Sequence, residues 1–112
     1  MRNLREDLEN KYPNSFLEFN TWLLIESPYG ELIDCNITNE LWNFLIKEFF
    51  SEREYIINSY FNGDNYHSSL FINGDKVYMN SGFNSTKEAE SIVIQTAFLL
   101  YENGYDGLDR IQ

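Results

Sequence analysis

The stretch STKEAESIVIQTAFLLYENG constrains the fold more than any other part of the chain. Ser85 and Glu88 have the spacing of a capping box, in which each side chain accepts a hydrogen bond from a free amide at the helix start. The helix is therefore predicted to begin at Thr86. Most of its apolar residues recur at three- and four-residue spacing and form one stripe along the helix. The others form a second apolar stripe beside it, which indicates burial on more than one side. Asn103 and Gly104 favour the left-handed conformation at which helices commonly end.

Two shorter helical patterns lie near the amino end. Residues 4–12 carry apolar side chains four positions apart between charged ones, which predicts a short amphipathic helix. Pro13 is expected to end or bend this helix, because proline lacks the amide hydrogen that the helix needs. Ser15 and Glu18 then repeat the capping-box spacing ahead of an apolar helical face that extends to about Ile25.

A β-hairpin is an alternative for the segment over residues 20–36. In that interpretation residues 21–26 and 31–36 form two strands joined by Ser-Pro-Tyr-Gly. Proline and glycine hold their preferred places for a type I turn in this tetrapeptide. Either interpretation places a turn at Pro28.

A third helical pattern follows the turn. Thr38, or Asn36 before it, can cap a helix that continues through LWNFLIKEFF to about Ser51. The apolar residues of this segment occupy two adjacent helical faces, so its periodicity predicts a helix rather than a strand.

The middle of the chain has the pattern of a β-meander. From about Glu54 the residues fall into two interleaved sets, Tyr55, Ile57, Ser59 and Phe61 alternating with Ile56, Asn58 and Tyr60, and Asn-Gly pairs follow at 62–63 and 73–74. Asn-Gly is a strong hairpin signal, because both residues tolerate the positive backbone angles of a tight turn. Three strands over about 54–80 are therefore predicted. The alternative extends the preceding helix to Tyr60 and uses the glycine of the first pair as its stop.

These elements predict an α+β fold with the order α-α-β-β-β-α. A three-stranded antiparallel meander packs against the C-terminal helix and one or two N-terminal helices, because each element must bury one apolar face. The 112 residues suffice for a single domain over 1–112. Nine Phe, eight Tyr and two Trp predict a core built largely from rings. The last eight residues are expected to fray.

Acidic residues dominate the charge, with 18 Asp and Glu against eight Lys and Arg and a net charge of −10. Such a chain lacks the cations that release counterions from phosphate, so direct nucleic-acid binding is not expected. A basic protein surface is the predicted partner, although acidity that only maintains solubility is an equal alternative. Two stretches without any base supply the candidate partner-binding residues: Glu18, Glu26, Glu31, Asp34, Glu40, Glu88, Glu90 and Glu102.

Catalytic and metal-binding patterns are weak. His67 lies near serines and Asp64, but neighbours along a strand point to opposite faces and cannot converge as a catalytic triad. Cys35 is the single cysteine, and its neighbours Glu31 and Asp34 would raise rather than lower its thiol pKa. Neither zinc-ligand nor calcium-loop spacing occurs, and a glycine-rich phosphate loop is missing. No enzyme activity, metal or cofactor is predicted.

The lone cysteine and the absence of a signal or membrane-spanning pattern predict a protein of the cytoplasm. The tyrosines in the strand region do not predict an RNA-stacking platform, since only Arg53 and Lys76 accompany them as cations. Exposed aromatic residues could anchor a protein partner. They could also mediate self-association into a homodimer.

The hairpins followed by SGFNSTKEAESIVIQTAFLLYENGY resemble a class of small acidic proteins encoded by bacteriophages. In these proteins a short sheet leads into a helix start like Thr86-Lys87-Glu88-Ala89, and the resemblance covers roughly residues 66–105. It implies a stoichiometric inhibitor of the anti-CRISPR or anti-defence type that occupies a basic nucleic-acid channel of a CRISPR-Cas effector in the host cytoplasm. It supplies no functional residues.

Two other functions fit the same sequence. An immunity protein or antitoxin that neutralises a cationic toxin nuclease would need the same acidic surface. A small enzyme would instead need a pocket that places His67 or Cys35 beside carboxylates.

Overall fold

The computed structural model describes residues 4–28 and 38–104. In it, one long helix packs across one face of a small antiparallel sheet. The described elements are α1 (Leu4–Lys11), α2 (Pro13–Thr21), a π-helical turn (Trp22–Glu26), α3 (Asn39–Ser51), β1 (Tyr55–Phe61), β2 (Tyr66–Ile72), β3 (Asp75–Phe83) and α4 (Thr86–Glu102). The α+β prediction is confirmed. The described chain has three α-helices before the sheet, one more than the predicted order contains, and each lies in one of the three helical patterns of the sequence.

Helix α4 begins and ends where its sequence predicts. The Ser85 hydroxyl accepts a hydrogen bond from the Glu88 amide at 3.1 Å. Gly104 follows the last turn with a φ of +74°, which only glycine adopts at little cost. Ala89, Val93 and Ala97 are completely buried on the side of α4 that faces β1 and β2.

The sheet has the order β1-β2-β3 with antiparallel pairing throughout. The predicted meander is thus confirmed, and the alternative that extends α3 to Tyr60 is wrong. The second turn has Asn73 and Gly74 at φ +52° and +86°, as an Asn-Gly hairpin requires. The first turn differs: Asn62 Oδ1 accepts from the amides of Asp64 and Asn65, both at 3.0 Å, which closes a four-residue loop.

The segment after Pro13 is helical, but the residue that starts the helix is not the predicted one. Pro13 is the first residue of α2, and Ser15 lies buried within its first turn instead of capping it. Proline suits this position, because its missing amide hydrogen would have no partner there anyway. The Ser15 capping box is therefore wrong, although the helical assignment is correct.

The hairpin alternative for residues 20–36 is also wrong where the structure describes it. Residues 22–26 form a π-helical turn that ends at Ser27, whose ψ of 156° is extended. Pro28 causes this end, because its ring disfavours helical geometry in the residue before it. The other proposed strand, residues 31–36, lies outside the described residues, as do the C-terminal residues that were expected to fray.

Rings fill the centre of the protein, as the composition predicts. Phe49 and Phe50 from α3 are completely buried, and their ring centroids lie 5.1 Å apart with the planes near perpendicular. Phe50 contacts Phe98 of α4 at 5.0 Å and Tyr55 of β1 at 5.4 Å. The Phe49–Phe50 and Phe50–Phe98 pairs are edge-to-face, which matches the positive edge of one ring to the negative face of another, and the Phe50–Tyr55 pair is stacked. Helices and sheet therefore share one aromatic core.

Candidate protein-binding surface

The structure separates the described members of the predicted acidic set into two groups. Glu40, Glu88 and Glu90 lie where α3 and the amino end of α4 run side by side, as the contacts of Glu40 and Glu90 across the two helices show. Glu18, Glu26 and Glu102 lie along α2, the π-helical turn and the carboxyl end of α4. Glu31 and Asp34 fall outside the described residues.

Glu102 has a structural role that its sequence position does not suggest. Its carboxylate accepts from the backbone amide of Ser15 at 2.8 Å and from the Asn14 side chain at 2.9 Å. These two residues belong to the first turn of α2, whose amides lack helical acceptors and carry a partial positive charge. Glu102 therefore caps α2 from 88 positions away in the chain.

The pKa of Glu102 reflects this capping. Partial desolvation of the carboxyl raises its pKa, but the hydrogen bonds from Ser15 and Asn14 favour the charged form more strongly. The balance holds the pKa of Glu102 below its ordinary value.

In the group formed by Glu40, Glu88 and Glu90, two members contact lysines. Glu90 accepts from Lys47 Nζ and Asn43 Nδ2, each at 2.7 Å, and its side chain is only 17% exposed. Glu40 lies 3.7 Å from Lys87, with both side chains largely exposed, so that pair contributes little. Glu88 is exposed near the start of α4. The negative charge at this end of the protein is thus partly neutralised.

A surface hollow of about 330 Å³ lies beside the π-helical turn. Two of the predicted acidic residues, Glu18 and Glu26, lie on its rim and are exposed. Its lining consists of Leu17, Glu18, Thr21, Trp22, Glu26 and Arg53.

Arg53 is held rigidly at this hollow. Its guanidinium carbon lies 3.9 Å from the centre of the Phe49 ring, and Nη1 donates to the Phe49 carbonyl at 3.1 Å. Its Nε donates to the Tyr101 hydroxyl at 3.0 Å. Burial of that hydroxyl and its hydrogen bond to Glu18 raise the pKa of Tyr101, and Arg53 opposes them only in part. The hollow is therefore a preorganised polar site.

A third carboxylate joins this site through Trp22. The indole Nε1 of Trp22 donates to Glu52 Oε1 at 3.0 Å, and Glu52 is exposed at the end of α3. This part of the surface thus contains three carboxylates, Glu18, Glu26 and Glu52, and one guanidinium, that of Arg53, which leaves it anionic. Sequence reasoning missed Glu52, because it is 30 positions from Trp22 and no local pattern marks it.

Exposed apolar side chains continue from the hollow along the same helical segment. Leu17, Leu24 and Ile25 are 65%, 53% and 77% exposed. The same segment buries Phe16, Phe19 and Leu23 in the core, and its remaining apolar side chains face solvent. We call the exposed set with its acidic rim (Leu17, Glu18, Leu24, Ile25 and Glu26) the α2–π surface. Apolar residues rimmed by polar ones are typical of protein-binding sites.

His67, the candidate catalytic residue that the structure describes, does not contribute to this surface. His67 lies on β2, where its ring stacks on Tyr60 at 5.2 Å, and Cys35 falls outside the described residues. Among the residues that the structure describes, no group of His, Cys, Asp and Glu has an arrangement suited to a metal ion. Within the same residues, no helix has the length and apolar character needed to cross a membrane.

Comparison with protein-family models, with curated proteins and with solved structures gives no match for this chain.

Proposed function

We propose that this protein is a non-enzymatic inhibitor that uses its α2–π surface to bind a basic, nucleic-acid-handling protein, and that the target is a CRISPR-Cas effector. One observation carries the proposal: the exposed apolar side chain of Leu17 lines a hollow together with the carboxylates Glu18 and Glu26, on the helical segment that also exposes Leu24 and Ile25. An apolar centre with an anionic rim fits a partner that presents Lys or Arg around an apolar contact.

The proposed mechanism is competition with nucleic acid. Carboxylates at fixed positions would occupy Lys and Arg side chains that otherwise bind phosphates. Complementary charge would also accelerate association, since a net charge of −10 attracts a basic surface over a distance of about a Debye length. The apolar residues would slow dissociation, because their burial in the complex removes them from water. The resemblance to small acidic phage proteins supports the choice of target.

The Arg53 site supports this mechanism in a second way. Arg53 donates to the Tyr101 hydroxyl and fixes its position, and Glu18 lies near enough to that hydroxyl to raise its pKa, so the carboxylate has a neighbouring polar group before a partner arrives. Preorganised side chains lose less conformational entropy on binding. Glu26 is not held in this way, and we expect its contribution to be the smaller of the two.

The experiment is a binding measurement against a panel of purified CRISPR-Cas effectors and toxin nucleases. Glu26→Lys, Glu18→Lys and Ile25→Ser test the surface. Glu48→Lys is the matched control, because Glu48 is exposed on α3 and its replacement makes the same change in net charge. We expect each surface variant to weaken binding to an effector at least about tenfold and the control to weaken it less than about threefold.

Two results would count against the proposal. Equal weakening by the control and the surface variants would mean that only overall charge matters. Binding to a toxin nuclease but to no effector would assign the protein to the immunity class instead. Nucleic-acid cleavage assays with and without the protein show whether binding inhibits the target.

A further inference from the structure

We propose that the open face of the sheet binds a second copy of this chain in a symmetric face-to-face dimer. Three rows of residues paired across the strands form this outer sheet face: Ile56, Phe71 and Lys76; Asn58, Ser69 and Met79; Tyr60, His67 and Ser81. The alternate residues of β1 and β2, such as Ile57, Leu70 and Ile72, are buried against the helices. The outer sheet face is therefore the side of the sheet that the helices leave open.

Large apolar side chains are exposed on this face. Ile56, Tyr60 and Met79 are 41%, 43% and 53% exposed, and Phe71 of the central strand is partly exposed between them. A shallow hollow of about 320 Å³ lies between Tyr60, Phe71 and Met79. Four large apolar or aromatic side chains at least partly exposed on one sheet face are typical of an interaction surface.

Charge selects a second copy as the occupant. The nine residues of the face include one cation, Lys76, and no carboxylate, although the chain as a whole carries −10. Two copies would therefore repel each other least through this face. The ammonium of Lys76 lies 3.7 Å from the Met79 sulfur and 5.9 Å from the Phe71 ring centre, so it lies over the face itself.

The positions of Lys76 and Asp64 define the symmetry. Lys76 lies at the end of the sheet near the β2–β3 turn, while Asp64 lies in the β1–β2 loop at the opposite end. A two-fold axis parallel to the sheet and perpendicular to its strands reverses the strand direction in the second copy. That axis brings Lys76 of each copy to the end where the other carries Asp64. Two ion pairs then flank an apolar centre, which is the self-complementary pattern of a two-fold interface.

The available area indicates a weak dimer. Three strands about 4.8 Å apart and seven residues long present roughly 350 Å² per copy, or about 700 Å² in total. Stable complexes bury about 1,200 Å² or more. We therefore expect a reversible dimer with a dissociation constant on the order of 0.1 mM.

Sedimentation equilibrium at rising protein concentration tests this inference with four variants. Met79→Glu places a charge in the apolar centre and is expected to weaken association at least about tenfold. Lys76→Glu and Asp64→Lys each set like charges opposite one another and are expected to weaken it about threefold or more. The double variant Lys76→Glu/Asp64→Lys exchanges the two charges and is expected to restore the wild-type value.

Glu48→Lys controls for the change in net charge of Asp64→Lys, and Lys11→Glu, at an exposed position on α1, controls for that of Lys76→Glu. Circular dichroism confirms that each variant is folded. A wild-type protein that stays monomeric up to about 1 mM overturns the inference. A dimer that persists in Met79→Glu overturns it too, because the contact would then lie elsewhere. A dimer that the double charge exchange does not restore overturns the two-fold arrangement. Each of these results is independent of binding to a basic partner.

Discussion

The α2–π surface and the outer sheet face are both apolar patches, but the charges around them differ. Glu18 and Glu26 rim the first, whereas the second contains Lys76 and no carboxylate. In a chain with a net charge of −10, this difference suits the first region to a basic partner and the second to another copy of the chain. Apolar area supplies the driving force in both regions, while the local charge decides which molecules can approach.

The two regions also differ in how they are supported. Beneath the α2–π surface lie the polar contacts of Trp22 with Glu52 and of Arg53 with Tyr101. Beneath the sheet lie Leu70 and Ile72, which are completely buried among apolar neighbours. Polar contacts fix the direction of side chains, and apolar packing fixes the position of the strands. We therefore expect substitutions to affect the two regions differently, except where the core beneath them is shared.

Phe50→Ala should have the largest effect and should disrupt both regions together. Phe50 is completely buried and contacts Tyr55 of the sheet as well as Phe98 and Tyr101 of α4. Truncation removes apolar contacts and leaves a cavity, which is expected to lower the free energy of unfolding by about 3–5 kcal/mol. Urea denaturation measures this change. Phe50→Leu is the control and should cost clearly less, whereas a loss below about 1 kcal/mol for alanine would contradict the shared core.

Salt should separate the two surfaces most directly. Raising the ionic strength from about 0.05 M to about 0.5 M screens attraction between the α2–π surface and a basic partner, so that binding should weaken about tenfold. The same change also screens the two proposed Lys76–Asp64 pairs, but exposed pairs contribute little, whereas repulsion between two copies of charge −10 is large, so dimerisation should strengthen. Titrations of partner binding and of self-association at several salt concentrations test this. Changes in the same direction would contradict the difference in charge.

Glu102→Gln should weaken the α2 region and leave the sheet unaffected. The loss of a charged cap on α2 is expected to lower the free energy of unfolding by about 1 kcal/mol at neutral pH. Glu9→Gln is the matched control, because Glu9 is exposed on α1. Dimerisation through the outer sheet face should be unchanged in Glu102→Gln.

The pH dependence of this effect follows from the lowered pKa of Glu102. A carboxyl whose pKa is lower in the folded protein stabilises it above the unfolded value of about 4.3. That contribution is lost as the pH falls through the folded pKa. The stability difference between wild type and Glu102→Gln should therefore shrink in this acidic range. A difference that is constant down to pH values well below about 4 would contradict the capping role.

Ile25→Ser should have the smallest effect on folding. Ile25 is 77% exposed, so its replacement is expected to change the free energy of unfolding by less than about 0.5 kcal/mol. Binding to a basic partner should nevertheless weaken, because the apolar centre of the α2–π surface becomes smaller. Thermal melts and binding titrations on the same preparation test this. A destabilisation above about 1 kcal/mol would mean that Ile25 has a role in packing.

Several elements could be predicted from local sequence because local interactions form them. Ser85 and Gly104 bound α4, and Asn73-Gly74 forms the second turn, since each acts on backbone groups within a few residues. The start of α2 could not be predicted correctly for the opposite reason. Ser15 has capping chemistry, but Glu102 supplies the cap from the far end of the chain.

The candidate site could be predicted only in part. Composition established a surplus of carboxylates, and Glu18 and Glu26 belong to the base-free stretch that it pointed to. The roles of Glu90 with Lys47 and of Glu52 with Trp22 join residues more than 25 positions apart, which no spacing rule connects. Likewise, helical periodicity predicted a face on α2 without showing that Leu24 and Ile25 would be left in solvent.

By itself, the sequence determined the class of fold, the ends of the main helices, the meander and the excess of negative charge, because each depends on composition or on neighbours along the chain. Tertiary structure decided which carboxylates are used in caps and ion pairs and which face solvent. It also decided that carboxylates line the hollow beside one apolar patch, whereas the nine residues of the outer sheet face include none. The physical reason is that charge acts across space, between groups that only the folded chain brings within a few ångströms of each other.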